Sequence, residues 1–171
     1  MSIKKQTIHA NPWFSLEKHD FEGGGVYYFV HKKPSVFIIA ENDEGKIVFI
    51  EESRYPTGTN ILQLPAGMVD EGTELFAAKR ELLEETGVKA KIWKRIGEFY
   101  VAPGHEDTKI VVFHAKELDI TPIAKPEKDI KYMHWYSNNE VEKLIKDKKI
   151  KCGITLASLQ LFSIESDQLI K

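Results

Sequence analysis

The chain is poor in cysteine: Cys152 is the only one among 171 residues. A disulfide framework within the chain is therefore excluded, and a reducing compartment fits. No apolar run approaches the roughly 18 residues needed to span a bilayer. The N-terminal MSIKKQTIHANPW carries no apolar segment of signal-peptide type, so no membrane association and a cytoplasmic location are expected. Excess charge of either sign is also missing. With 24 basic and 26 acidic residues the net charge is −2, which provides no general attraction to nucleic acid. Repeats, low-complexity tracts and interdomain linkers are not found either. What remains is an ordinary globular composition, 42% hydrophobic and 29% charged, long enough for one domain with a real core. Residues 1–171 are read as a single domain, with 1–33 as an N-terminal β segment.

The most informative stretch is LQLPAGMVDEGTELFAAKRELLEETGV, from Leu62 to Val88. Thr73 is suited to cap a helix running through Glu85, and Gly87 suits the left-handed position that ends one. Leu75, Ala78 and Leu82, with Phe76 and Leu83 beside them, give that helix an apolar side. Glu81, Glu84 and Glu85 fall at i, i+3 and i+4, which predicts carboxylates sharing another face. Like charges at that spacing repel, and they lie near the end of the helix where the dipole favours cations. Either the acidic face is simply solvated, or its oxygens converge on a hard divalent cation. Arg80 is placed to orient one of these carboxylates through paired hydrogen bonds.

Arg80-Glu81-Leu82-Leu83-Glu84-Glu85-Thr86-Gly87-Val88 fits the second half of the Nudix box, R-E-U-x-E-E-x-G-U with U apolar, at every position. Leu64-Pro65-Ala66-Gly67 resembles the loop that opens the box in the ADP-ribose and sugar-nucleotide pyrophosphatase branch. Two departures stand out. Twelve residues separate Gly67 from Arg80, one fewer than in the family's box. The gap falls just before Thr73, where the family carries its first glutamate. Glu74, seven residues before Glu81, is the nearest substitute by helical geometry. In addition, Gln63 stands where this branch usually has glutamate.

Along the rest of the chain, Trp13 to His19 and Val26 to Val30 read as a hairpin around Glu22-Gly23-Gly24-Gly25. Its aromatics either pack it onto the body or a second subunit, or offer a surface for stacking a nucleobase. Ser35 to Ala40 and Lys46 to Ile50 are strands apolar enough to be buried on both faces. Ile61 to Leu64 leads into the box. Lys89 to Tyr100, Thr108 to Ala115 and Ile130 to Tyr136 complete the strands, and Leu118 to Asp129 is read as a loop. Ser137-Asn138-Asn139-Glu140 is a capping box that should start a helix ending near Lys146, with a second from about Ile154 to Ile170.

The pattern of elements indicates an α/β or α+β domain. The resemblance implies more: a Nudix α/β/α sandwich with a mixed central sheet, here with an N-terminal β-hairpin, and often a homodimer joined through that segment. It also implies Mg2+, or Mn2+ in its place, held by Glu81, Glu84, Glu85 and the Ala66 carbonyl, with Arg80 orienting the glutamates. By the same resemblance Arg54 and the Gly67 loop meet a small-molecule nucleotide substrate, Glu106 reaches the metal cluster and substrate from a Pro-Gly loop, and Glu127 or a box glutamate such as Glu84 is the candidate general base. For Arg54 a surface salt bridge is the competing reading; for Glu106 and Glu127 it is a solvated loop carboxylate. The expected reaction is hydrolysis of a nucleoside diphosphate linked to a sugar, ADP-ribose favoured. The alternatives are hydrolysis of nucleoside triphosphates or dinucleoside polyphosphates, and a Nudix fold that senses a nucleotide without cutting it.

Overall fold

The computed structural model describes residues 2–120 and 130–165. Among these, ten strands and three α-helices are found. At the N-terminus β1 (Ile3–Ala10), β2 (Ser15–Phe21) and β3 (Val26–His31) form an antiparallel sheet. The β2–β3 hairpin turns at Gly23, Gly24 and Gly25, all at positive φ, which glycine adopts without steric cost. The sheet has one strand more than the sequence predicts. β1, IKKQTIHA, is exposed along its whole length, and so shows no buried face for alternation to reveal.

The main sheet runs β7–β4–β9–β8, built from β4 (Ser35–Ala40), β7 (Ala66–Met68), β8 (Val88–Tyr100) and β9 (Lys109–Ile120). β4 and β9 are parallel and the other pairs antiparallel. A second sheet, β10–β5–β6, comprises β5 (Lys46–Arg54), β6 (Thr59–Gln63) and β10 (Ile130–Ser137). Leu118 to Ile120, expected in a loop, continue β9 against Val88 to Ala90.

Burial of β4 on both faces explains its unbroken SVFIIA. Val36 and Ile38 join Ala77, Ala78 and Leu82 of α1 (Glu74–Thr86), along with Val48 of β5. Phe37 and Ile39 face the other way, onto Leu159 and Phe162 of α3 (Gly153–Glu165) and Val141 of α2 (Asn138–Lys146). Helices thus cover both faces of a mixed sheet, as expected for an α/β/α sandwich. Each fully buried Ile or Leu here contributes on the order of 1.5–3 kcal/mol. No helix among the described residues is long and apolar enough to cross a membrane.

Candidate active site

α1 starts where the sequence places it. The Thr73 hydroxyl accepts from the Phe76 amide at 3.1 Å, and Gly87 closes the helix at φ 71°. Its inward side is the expected stripe in Ala78 and Leu82, with Leu75 packed beside them, but not at Phe76. Ala77, Ala78 and Leu82 are buried, whereas Phe76 is 51% exposed. Two of the acidic residues are inside with them: Glu81 is 7% and Glu85 5% exposed. Glu84 is exposed. Helical geometry accounts for the split. At about 100° per residue, Glu81 and Glu85 lie nearly in line, while Glu84 is turned about 60° from the first and 100° from the second. The three carboxylates therefore do not share one solvated face.

The short strand β7 receives the two buried ones. The Ala66 amide donates to Glu85 Oε2 at 2.9 Å. At Gly67 a Cβ would lie 2.0 Å from the Glu81 carboxylate carbon. Glycine is needed there for space, not for a left-handed backbone. Arg80 ties the group together. Its Nη2 lies 2.7 Å from Glu81 Oε1 and donates to the Met68 carbonyl at 3.1 Å, and its Nη1 donates to Glu84 at 3.1 Å. Burial works against the arginine's charge, but Glu81 and Glu84 outweigh it and hold its pKa above the usual value.

Ala66, Gly67, Arg80, Glu81, Glu84 and Glu85 are thus brought together. Among the described residues no three His, Cys, Asp or Glu side chains converge as an ion-binding group; Glu84, on the outer side, meets Arg80 instead. Glu74 is not free to replace the missing box glutamate. It pairs with Lys109 of β9 at 3.1 Å and Arg95 of β8 at 3.4 Å.

Arg54 and Glu106 stand on other elements, at the end of β5 and in the loop before β9. Arg54 Nη2 is 2.6 Å from Glu52 Oε2, which also accepts from Gln63 Nε2 at 2.9 Å. Neither Glu52 nor a role for Gln63 was anticipated. The signal was the alternation of β5, which puts Glu52 and Arg54 in step with Val48, on the side packed against α1. Glu106 lines a cleft of about 300 Å3 with Trp13, Phe14, Lys32, Phe37 and Met68. Lys32 at 3.1 Å and the Thr108 hydroxyl at 2.5 Å hold its carboxylate. Its loop is fastened to β3: the Val30 amide donates to the His105 carbonyl at 2.9 Å, and the Tyr27 hydroxyl to the Gly104 carbonyl at 2.7 Å. Glu127 lies outside the described residues.

The family model of the NUDIX domain matches residues 31–153, which include all of these groups except Trp13, Phe14, Tyr27 and Val30. The chain belongs to the Nudix family. It is 41% identical over 124 residues to an ADP-ribose pyrophosphatase of Bacillus subtilis, covering 70% of this chain and 67% of that one. An ADP-ribose pyrophosphatase of Mycobacterium tuberculosis is 30% identical over 92% of this chain and 80% of its own length. A GDP-mannose pyrophosphatase of Yersinia pestis is 27% identical, covering 96% and 94%. Among solved structures, one titled as an ADP compounds hydrolase superposes with a TM-score of 0.80 at 20% identity, over 98% of this chain and 96% of that chain. The likeness to that structure extends the Nudix fold over nearly the whole chain, N-terminal sheet included.

Proposed function

We propose that this Nudix protein is a Mg2+-dependent pyrophosphatase that hydrolyses the diphosphate of a nucleoside diphosphate linked to a sugar, with ADP-ribose as the favoured substrate. The observation that carries this reading is the seating of Glu81 and Glu85 against the Ala66–Gly67 backbone, with Arg80 gripping Glu81 and Glu84. Two carboxylates in water would not crowd a backbone that lacks even a Cβ; a site for a hard cation gives that crowding a purpose. The substrate class follows the relatives, two of which are named for ADP-ribose and one for GDP-mannose.

The donors are of the chemical kind the ion takes, although the three carboxylates do not converge in this conformation. Magnesium takes a few carboxylate oxygens and keeps water in its remaining positions, and the carboxylates of Glu81, Glu84 and Glu85 with the Ala66 carbonyl are hard oxygen donors of that kind. When bound, the ion offsets phosphate charge and lowers the pKa of water. The chain's own residues do the rest. Arg80 keeps Glu81 in place and carries a permanent positive charge next to it. Gly67 leaves the space that carboxylate occupies. Arg54 is the candidate phosphate ligand, because a guanidinium matches phosphate oxygens in pairs. Water attacks one phosphorus in line with the bridging oxygen. The new bond is oxygen to phosphorus, the bridging bond breaks toward the departing phosphate, and the water's proton passes to a carboxylate. That base is one of the box glutamates or Glu127. From ADP-ribose the products are AMP and ribose 5-phosphate.

The cleft holding Trp13, Phe14 and Glu106 suits the nucleobase or the sugar, as an apolar pocket edged by a few polar groups. The N-terminal sheet is proposed to join two copies into a homodimer. A second reading, a Nudix module that binds a nucleotide without cutting it, draws support from the missing first box glutamate, since Glu74 is occupied by Lys109 and Arg95.

The test is a hydrolysis screen over ADP-ribose, GDP-mannose and other sugar nucleotides, dinucleoside polyphosphates and nucleoside triphosphates, with products identified. Turnover of a sugar nucleotide that is abolished by chelator and restored by Mg2+ is expected. Full activity after exhaustive chelation would reject the metal requirement. A compound that raises the melting temperature but stays intact with Mg2+ present would select the sensing module.

A further inference from the structure

Gln63 is a buried polar residue, 3% exposed, on a strand that borders the box. Its carboxamide has a definite partner. β5 and β6 are antiparallel with Ile50 opposite Gln63, so Glu52 is the diagonal neighbour of Gln63 on the same face. Arg54, two residues further along β5, stays on that face. One oxygen of Glu52 accepts from both ends: Gln63 Nε2 at 2.9 Å, and Arg54 Nη2 at 2.6 Å. Exposure rises along the row, from buried Gln63 through Glu52 at 13% to Arg54 at 45%. The buried amide thus anchors the carboxylate, and the carboxylate in turn holds an arginine at the surface.

We propose that Gln63 and Glu52 are positioning residues that set the guanidinium of Arg54 toward the substrate's diphosphate. The proposal rests on the reading of Arg54 as a phosphate ligand and adds what holds it there. The guanidinium has five N–H donors in a rigid plane, so Glu52 can hold one corner while others meet phosphate oxygens. Fixing the plane in advance removes rotamer freedom that phosphate binding would otherwise have to restrict. The chemistry also explains why an amide suits position 63. An amide donates a hydrogen bond to Glu52 without bringing charge. A glutamate there would place two carboxylates within 3 Å of each other. Either they move apart, and Arg54 loses the partner it has, or one takes up a proton, at a cost that falls with pH.

Steady-state kinetics on ADP-ribose, at saturating Mg2+ and with melting temperatures recorded, tests this. Arg54→Ala is expected to raise KM by about 10–100-fold, the range for a hydrogen bond between charged groups, and to change kcat by less than threefold. Glu52→Gln and Gln63→Glu should each raise KM by about three- to tenfold, again with kcat nearly constant. Combined with Arg54→Ala, neither should add a further penalty, because the row acts only through the arginine. The Gln63→Glu penalty should shrink as pH falls, when a protonated carboxyl can donate to Glu52 as the amide did. Should buried Gln63→Glu fail to fold, Glu52→Gln, nearer the surface, carries the test. If Arg54→Ala raises KM but Glu52→Gln and Gln63→Glu leave it unchanged, or if their penalties add to that of Arg54→Ala, the positioning role is wrong while Arg54 keeps its own. If Arg54→Ala leaves KM unchanged, the phosphate role of Arg54 falls and the proposal with it.

Discussion

Gly67 and Glu81 occupy one small volume, and they can be told apart experimentally. The backbone at Gly67 does not adopt positive φ, so alanine is allowed there by conformation and excluded only by the carboxylate 2.0 Å from where its Cβ would sit. That carboxylate is the far end of a flexible side chain. It can swing aside at little cost to packing, though not without leaving its seat. Gly67→Ala should therefore lower kcat by about 100-fold, comparable to losing several kcal/mol of charge stabilisation, while melting within a few degrees of the parent. The double variant Gly67→Ala/Glu81→Gln should be no worse than either alone, since both remove the same placed carboxylate. Glu85→Gln should likewise cost about 100-fold or more in turnover with the fold retained. If activity in these variants tracks melting temperature instead, Gly67 and Glu85 serve packing only.

At the scale of single elements, local chemistry was legible wherever it is written in adjacent residues. α1 has its Thr73 cap and Gly87 stop as expected. The capping box at Ser137 forms in full: the Glu140 amide donates to the Ser137 hydroxyl oxygen, and Glu140 accepts from the Ser137 backbone amide at 2.8 Å. What was not legible depended on what lies across from an element. The inward turn of Glu81 and Glu85 needed β7, and the pairing of Glu74 needed Lys109 and Arg95 from strands beyond α1. The row from Gln63 to Arg54 needed the register of β5 on β6. The Ser137 box also makes a pH prediction. Hydrogen bonds from the Ser137 side chain and backbone hold the Glu140 carboxyl below its usual pKa. A carboxylate with a depressed folded pKa stabilises the fold above its unfolded pKa, and that contribution fades as pH falls through the folded one. Ser137→Ala should thus lower the melting temperature by a few degrees at neutral pH, and the gap to the parent should narrow on acidification to below the ordinary range of glutamate. A gap that is the same at both ends of that range would mean the box is held by its neutral hydrogen bonds alone.

For the whole molecule, the N-terminal sheet is the part that single-chain packing explains least. Every residue of β1 is exposed, and Ile3, Ile8, Val26 and Tyr28 each show more than a third of their surface. By register Ile3 shares the face of Tyr27, and Val26 and Tyr28 stand on the other, so both faces show apolar surface of the kind that can serve an interface. The two faces of β3 differ. Tyr27 reaches the Gly104 carbonyl, so its face turns toward the loop that carries Glu106; Val26 and Tyr28, alternating with it, turn away. A dimer formed on the outward face would brace β3, and β3 holds the Glu106 loop through Val30 and Tyr27. Assembly and the site would then be coupled mechanically. Val26→Asp/Tyr28→Asp places two charges on that face without touching Tyr27, Val30 or any box residue. Sedimentation velocity should show the parent as a dimer and this variant as a monomer. Its KM for ADP-ribose should rise, with Mg2+ dependence unchanged, because the box helix is held by the main sheet and not by β1 to β3. A parent that sediments as a monomer at micromolar concentration rules out the dimer, and a monomeric variant with unaltered KM rules out the coupling.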